Sequence, residues 1–367
     1  MQRRSALFAL VASLLYCAAF GPGNVPARAQ QTQPPAGEPG KAGPHVALLL
    51  PLKSGPFTRA AEAVRRGAWE AHKVHAGSGL PLVVYATGDD AFDIMQAYER
   101  AIAQDARLVI GPLTRSAVTA LANSTAVQVP TLALNAPEGD APLPPNLFVF
   151  GLQVENEAKQ VADLAAQQGR RRALVVSART ALSKRLSQAF VEEWVKRGNQ
   201  VTEEFAFTSE AADLAKLRDA LAVSTSDMVF LALDAQQSKL IRSYLGLALP
   251  IYATSLVNAS ADALGRLEVN GVTFVDMPWL LLPDHPAVLS YARPDPGQAN
   301  IEFQRFYALG IDAYRIAQVL VRRDADFTAL DGVTGTITLD RDRRLLREPV
   351  AAQFAQGEIK VLSEERR

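Results

Sequence analysis

Val46-Ala-Leu-Leu-Leu-Pro-Leu52 is a continuous apolar run, and behind it Phe57 to His75 carries Ala60, Ala61, Val64, Ala68 and Ala71 at helical spacing. A run of this kind suits a strand covered on both faces, and a helical period directly after it makes the first half of a βαβ unit. The pattern then repeats. Leu82 to Ala86 precedes Phe92 to Gln104, Arg107 to Ile110 precedes Leu113 to Val127, and Thr131 to Leu134 closes the series. Right-handed crossovers of this order build a parallel sheet with helices on both faces.

A proline-rich segment, Ala136 to Asn146, breaks the rhythm before Leu147 to Phe150 and the helix Val154 to Gln168 open a second series. It runs Ala173 to Val176, Ala181 to Arg197, Val201 to Phe207, Ala211 to Val223, Met228 to Leu233, Gln236 to Leu247 and Ile251 to Ala253. No short repeat links the two series, so any duplication is architectural. Val272 to Val275 leads into a second proline-rich stretch, Pro278 to Pro296. A long helix follows, Ile301 to Arg322, with Phe306, Leu309, Ala313, Ala317 and Leu320 on one face. Val333 to Leu339, Pro349 to Phe354 and Ile359 to Leu362, separated by charged turns and Gly357, read as antiparallel strands.

The expected fold is therefore α/β, two doubly wound parallel-sheet lobes forming a clamshell. Lobe one takes residues 45–150 and 277–330, and lobe two takes 151–276 and 331–363. At 367 residues with 49% hydrophobic side chains, the chain is long enough for two cores and too apolar for disorder. The 38 basic residues balance 38 acidic ones, which gives no electrostatic case for a nucleic-acid partner.

The amino terminus reads as an export signal over residues 1–29. Met1 to Arg4 is basic, Ala6 to Phe20 is apolar, and small residues at Ala27 and Ala29 suit cleavage after Ala29. Its removal leaves 35 basic against 38 acidic residues, a formal charge of −3. The single cysteine, Cys17, excludes an intrachain disulfide and offers an alternative, a lipidated cysteine at the end of a lipoprotein signal; Tyr16 before it argues against that arrangement. Residues 30–44 hold four prolines and three glycines and read as a tether spanning about 20 Å.

In doubly wound sheets the loops at the carboxyl ends of the strands face the ligand crevice. Those loops supply Ser54, Gly55, Thr114, Arg115, Ser116 and Asn135 in lobe one, and Asp234, Thr254 and Ser255 in lobe two. Small hydroxyls there either orient a ligand or cap helices, and Arg115 either clamps a carboxylate or makes a surface ion pair. Asp276, Trp279 and Tyr314 lie near the lobe crossings and are candidates for a hinge or partner surface. The signatures GxSxG, HExxH, GxxxxGK[ST] and GxGxxG are absent, which speaks against the common hydrolase, metalloprotease and nucleotide-binding chemistries. His72 and His75, one helical turn apart, read as solvated rather than as metal ligands. Asp89-Asp90 reads as a helix cap, and Arg170-Arg-Arg172 as a solvated turn. No catalytic residue, metal or cofactor is implied.

The strings Val46-Ala-Leu-Leu-Leu-Pro-Leu52, Ile110-Gly-Pro-Leu113, Leu132-Ala-Leu-Asn135, Phe150-Gly-Leu152, Glu155-Asn-Glu-Ala158, Tyr252-Ala-Thr-Ser255, Asp276-Met-Pro-Trp279 and Leu309-Gly-Ile-Asp-Ala-Tyr314 occur in this order. With Gly332-Val-Thr-Gly335, Leu339-Asp340 and Arg347, they resemble the LppC/LpoA family of penicillin-binding protein activators over residues 45–362. The resemblance implies a type I periplasmic-binding-protein clamshell and a non-enzymatic role. The partner it implies is a class A penicillin-binding protein, a bifunctional peptidoglycan synthase. It implies a periplasmic site of action, with membrane attachment only if Cys17 is lipidated. Longer members carry a helical-repeat domain where residues 30–44 supply a tether. Amino-acid binders of the same fold have hydroxyls where this chain has Arg115 and Pro137, which disfavours a simple branched amino acid. The alternative reading is a solute-binding protein of an ABC importer, taking a small polar ligand in the cleft.

Overall fold

The computed structural model describes residues 43–75, 79–139, 141–208, 210–245, 249–260, 262–297, 299–322 and 328–362. The expected leader, Cys17 and the tether up to residue 42 lie outside them. The first series forms β1 (His45–Leu50), α1 (Thr58–Val74), β2 (Leu82–Ala86), α2 (Ala91–Ala103), β3 (Ala106–Ile110), α3 (Arg115–Ala122), β4 (Thr131–Ala133) and β5 (Leu147–Val149). These strands make one parallel sheet in the order β2-β1-β3-β4-β5. Every residue of β1 is buried, and its side chains alternate between two cores: Val46, Leu48 and Leu50 face one, Ala47 and Leu49 the other. That double burial is what an uninterrupted apolar run achieves.

The second series forms α4 (Val154–Gln167), β6 (Arg172–Ala178), α5 (Ala181–Lys196), β7 (Gln200–Phe207), α6 (Ala211–Val223), β8 (Met228–Ala232), α7 (Ala235–Leu245), β9 (Ile251–Ala253), α8 (Ala263–Leu267) and β10 (Val272–Asp276). After it come α9 (Pro278–Leu281), α10 (Pro286–Leu289), α11 (Ile301–Arg322), β11 (Leu330–Asp331), β12 (Thr336–Leu339), β13 (Leu345–Glu348), β14 (Val350–Ala355) and β15 (Glu358–Val361). The second sheet runs β15-β14-β10-β9-β8-β6-β7, with only β14 running against the direction of the others. Each sheet reverses its strand order once, between β1 and β3 and between β6 and β8, and these reversals open the crevices of doubly wound folds.

Two expectations need correction. The helix expected from Leu113 to Val127 ends at Ala122, because Ser124 turns its hydroxyl back onto the Leu121 carbonyl at 2.8 Å and competes with the helical bond. The segment after residue 331, assigned above to lobe two, divides. Strands β11, β12 and β13 form their own small sheet, and Val333, Ile337 and Leu345 pack into the core shared by α1 and α11. Only β14 and β15 join the second sheet.

Helix α11 is buried almost all round between Tyr307 and Ala317, because it lies against α1 at backbone distance. Two glycines allow this. A Cβ on Gly310 would stand 2.1 Å from the Val64 carbonyl oxygen, and one on Gly67 would stand 1.9 Å from that of Tyr307. Gly310→Ala is therefore expected to lower the unfolding free energy in urea by about 2 kcal/mol or more, the range of core overpacking. A change within about 0.5 kcal/mol, the size of a neutral surface substitution, would show that the helices are not in backbone contact.

Candidate functional site

The loop after β1 places Ser54 against α1, where its carbonyl accepts the Thr58 hydroxyl. The loop after β3 is fixed by Gly111, whose φ of +114° and close approach to the Leu49 carbonyl exclude a side chain. It delivers Thr114 to the amino-terminal cap of α3, but the Thr114 side chain makes no capping bond. Ser54, Thr114 and Thr254 are 4%, 6% and 1% exposed, and their hydroxyl oxygens have no hydrogen-bond partner. Ser116 and Gly55 are exposed, and a side chain at Gly55 would meet open space.

The remaining candidates serve the frame. The Asn135 amide donates to the Leu113 carbonyl at 3.2 Å and its oxygen accepts from Ala136 N at 3.0 Å, joining the β3 and β4 loops. Exposed Asp234 accepts from Gln237 N at 2.9 Å and caps α7. Ser255 acts through its backbone: its N–H donates to Glu157 Oε2 at 3.1 Å and its carbonyl accepts from Arg305 at 2.9 Å. Asp276, Trp279 and Tyr314 are at most 1% exposed, so they offer no partner surface. Trp279 packs at the crossing against Tyr307 and under the Arg293 guanidinium, and Tyr314 bonds His72 Nδ1 at 2.9 Å. His72 is thus a packing residue, as is His75, which meets the Tyr291 hydroxyl at 3.2 Å. Asp90 caps α2 by accepting from Asp93 N.

The strongest polar constellation joins residues that sequence reasoning named only separately, Ser255 and Asp276 as site candidates and Arg347 among the family strings. Arg347, 6% exposed, donates to the Gly151 carbonyl at 3.1 Å, to the Thr334 carbonyl at 3.2 Å and to Glu157 Oε1 at 3.1 Å. Glu157 passes the connection to Ser255, and Ser255 to Arg305 of α11. Arg305 also binds the Asn258 carbonyl and pairs with Asp276 at 2.6 Å. Burial works most strongly against the Arg305 charge, but the charge and hydrogen bond of Asp276 together with the nearby Glu157 and Glu302 carboxylates hold the guanidinium pKa above its usual value. Asp312 takes the third crossing, accepting from Val333 N at 3.1 Å and from Thr334 N and Oγ1 at 2.7 Å each. All three chain crossings between the sheets, at Gly151, Asp276 and Gly332–Pro349, are therefore held by one group of buried polar side chains. The available signal was the presence of charged residues inside apolar stripes: Glu157 with Val161 and Ala165 on α4, and Asp312 with Leu309 and Ile316 on α11.

A second ion cluster lies at the crevice. Glu155, in the first turn of α4, receives Arg185 Nε of α5 at 2.8 Å and Arg115 of α3 at 3.6 Å on the same oxygen. A surface hollow of about 690 Å³ lies elsewhere, between α7 and α8. Among the described residues no three His, Cys, Asp or Glu side chains are grouped to hold a metal, and no helix is long and apolar enough to cross a membrane.

A family model described as "LppC putative lipoprotein" matches residues 41–357. The chain belongs to the LppC family. Among LppC relatives, the penicillin-binding protein activator LpoA of Photobacterium profundum is 26% identical over 87% of this chain and 57% of its own length. LpoA of Yersinia pseudotuberculosis is 29% identical over 70% and 46%. The chain spans about half the length of these curated relatives. Among solved structures, the LpoA C-domain of Haemophilus influenzae, titled a regulator of PBP1A, aligns with TM-score 0.73 at 23% identity, covering 87% of this chain and 100% of that one. A Chromobacterium violaceum protein titled "putative branched-chain amino acid ABC transporter" aligns with TM-score 0.72 at 38% identity, covering 84% and 99%. The periplasmic-binding-protein architecture expected from the sequence is thus the one observed.

Replacing Arg347 with Met would leave Glu157 buried without its cation. Such a loss costs about 3–5 kcal/mol, whereas removing both charges with hydrophobic residues is close to neutral. In urea unfolding, Arg347→Met should lose stability in that range and the double variant with Glu157→Met should recover most of it. A single variant within about 1 kcal/mol of the parent would remove Arg347 from its place in the frame.

Proposed function

We propose that this chain is a non-enzymatic periplasmic regulator that activates a bifunctional peptidoglycan synthase of the penicillin-binding class. The observation that carries the reading is the LppC match across residues 41–357, joined to curated relatives that bear the name penicillin-binding protein activator. The structure supports it in two ways. The buried polar side chains at the crossings serve the frame, and three of the expected ligand hydroxyls are sealed inside the protein. A partner then reads the outer surface of a body of fixed shape. Membrane attachment would come through Cys17 if that residue is retained and lipidated.

A second reading, a solute-binding protein for an importer, draws on the likeness to the Chromobacterium violaceum protein described as a putative branched-chain amino acid ABC transporter. One comparison separates the two. The regulator reading expects added protein to raise transpeptidase activity of a class A synthase from the same cell severalfold, with no rise in melting temperature in leucine, isoleucine or valine. No effect on any class A synthase of that cell, together with saturable stabilisation by one of these amino acids, would replace it with the importer reading.

A further inference from the structure

Strand β15 is an edge of the seven-stranded sheet, and among the described residues no strand pairs with its outer side. The phase of its ladder with β14 is fixed at both ends. Leu362 N–H donates to the Ala351 carbonyl at 2.8 Å, so that pair is hydrogen-bonded, as is every second pair after it, Gln353 with Lys360 and Ala355 with Glu358. Gln356 and Gly357, at φ +56° and +81°, close the hairpin with the two-residue turn that suits such a last pair. Ile359 and Val361 belong to the intervening pairs, so their N–H and C=O groups face the free edge.

The two faces of this edge differ. Ile359 packs against the core of the second sheet, and Val361, on the same face, is 39% exposed. Helix α8 borders the hairpin, since a Cβ on Gly357 would stand 3.5 Å from Leu267 Cγ, and it leaves Leu267 48% exposed. Glu358 and Lys360 take the opposite face, and both are exposed.

Such a strand is complementary to itself. With two copies antiparallel and Ile359 opposite Ile359, the outward amide and carbonyl of each meet those of the other, and Glu358 of each copy stands opposite Lys360 of the other. Val361 of one copy then comes beside Gly357 and the exposed Leu267 of the other. The two other registers that the outward groups allow place Lys360 opposite Lys360 or opposite Leu362, and neither sets a cation opposite Glu358. A lysine on an edge ordinarily blocks pairing, but here Glu358 supplies its mate across the two-fold axis. The remaining edges lack this property: β5 is bridged by Arg344, β7 carries only the acidic charges Glu203 and Glu204, and β2 carries no charge to set a register.

We propose that this chain forms a symmetric dimer through β15, with Ile359 on the two-fold axis and the two seven-stranded sheets joined into one. The contact is a short strand with a few apolar side chains beside it, so the dimer is weak and depends on concentration. The inference is independent of the synthase reading, because its test measures self-association alone.

Sedimentation equilibrium of the full chain at up to about 1 mM should show reversible exchange between monomer and dimer. Glu358→Lys and Lys360→Glu each turn two attractive pairs into two like-charge pairs, and each should weaken the dimer by about tenfold or more. Both positions are exposed, so the hairpin stays folded, which circular dichroism checks. The decisive sample is an equimolar mixture of the two single variants. Every charge then faces its opposite across the axis, so the mixture should associate at least as tightly as the parent, and the double variant should match the parent. In the mixture the Ile359 amide should exchange its hydrogen more slowly than in either variant alone. If parent and mixture both stay monomeric, if the single variants associate as well as the parent, or if mixing restores nothing, the proposal is overturned.

Discussion

One buried guanidinium, that of Arg347, holds together parts of the chain that are far apart in sequence. It reaches the first crossing through the Gly151 carbonyl, the third through Thr334, and the first helix of the second lobe through Glu157. An uncompensated charge in such a place would be prohibitive, so each of its donors must find an acceptor, and each acceptor fixes a strand of chain. Glu157 and Arg305 extend the constraint to the second crossing at Asp276. Two lobes with separate hydrophobic cores are thereby linked by polar contacts that cannot be rearranged one at a time. In keeping with this, the described residues form one compact unit.

The same network explains why the family strings are where they are. Asp276, Asp312, Gly332-Val-Thr-Gly335, Arg347 and the Glu155–Ala158 segment are the pieces that bind the crossings. At Gly332 a Cβ would stand 2.6 Å from the Asp312 carboxylate, and at Gly335 one would stand 2.3 Å from the Glu348 carbonyl oxygen, so these two positions must be glycine. Most of the residues that carry the resemblance therefore specify a frame. They do not by themselves specify a ligand or a partner.

The alternation of strands and helices from Val46 to Ala253 was legible because each element carries its own period, and local period is what sequence displays directly. The fate of residues 331–349 was not legible. Their short strands alternate as well as any others, and only the fit of Val333 and Ile337 beside α1 and α11 decides which lobe they join. The loops were expected at strand ends, where the structure has them, but Asn135, Asp234 and Ser255 proved to be ties and caps, since a small polar residue at a strand end looks the same in either role. The crossing network was present in the sequence only as isolated charges in apolar stripes. Their pairing spans up to 196 residues, from Gly151 to Arg347, and no local pattern reveals it.

The buried crossings hold the two lobes in one arrangement. The chain has a single cysteine, Cys17, so in a Cys17→Ser background spin labels can be placed at will, for example at exposed Arg107 and Lys216, one in each lobe. Double electron–electron resonance between them should give a single narrow distance distribution that broadens when Arg347 is replaced by Met. A broad or two-peaked distribution in the parent protein, unchanged by that substitution, would contradict it.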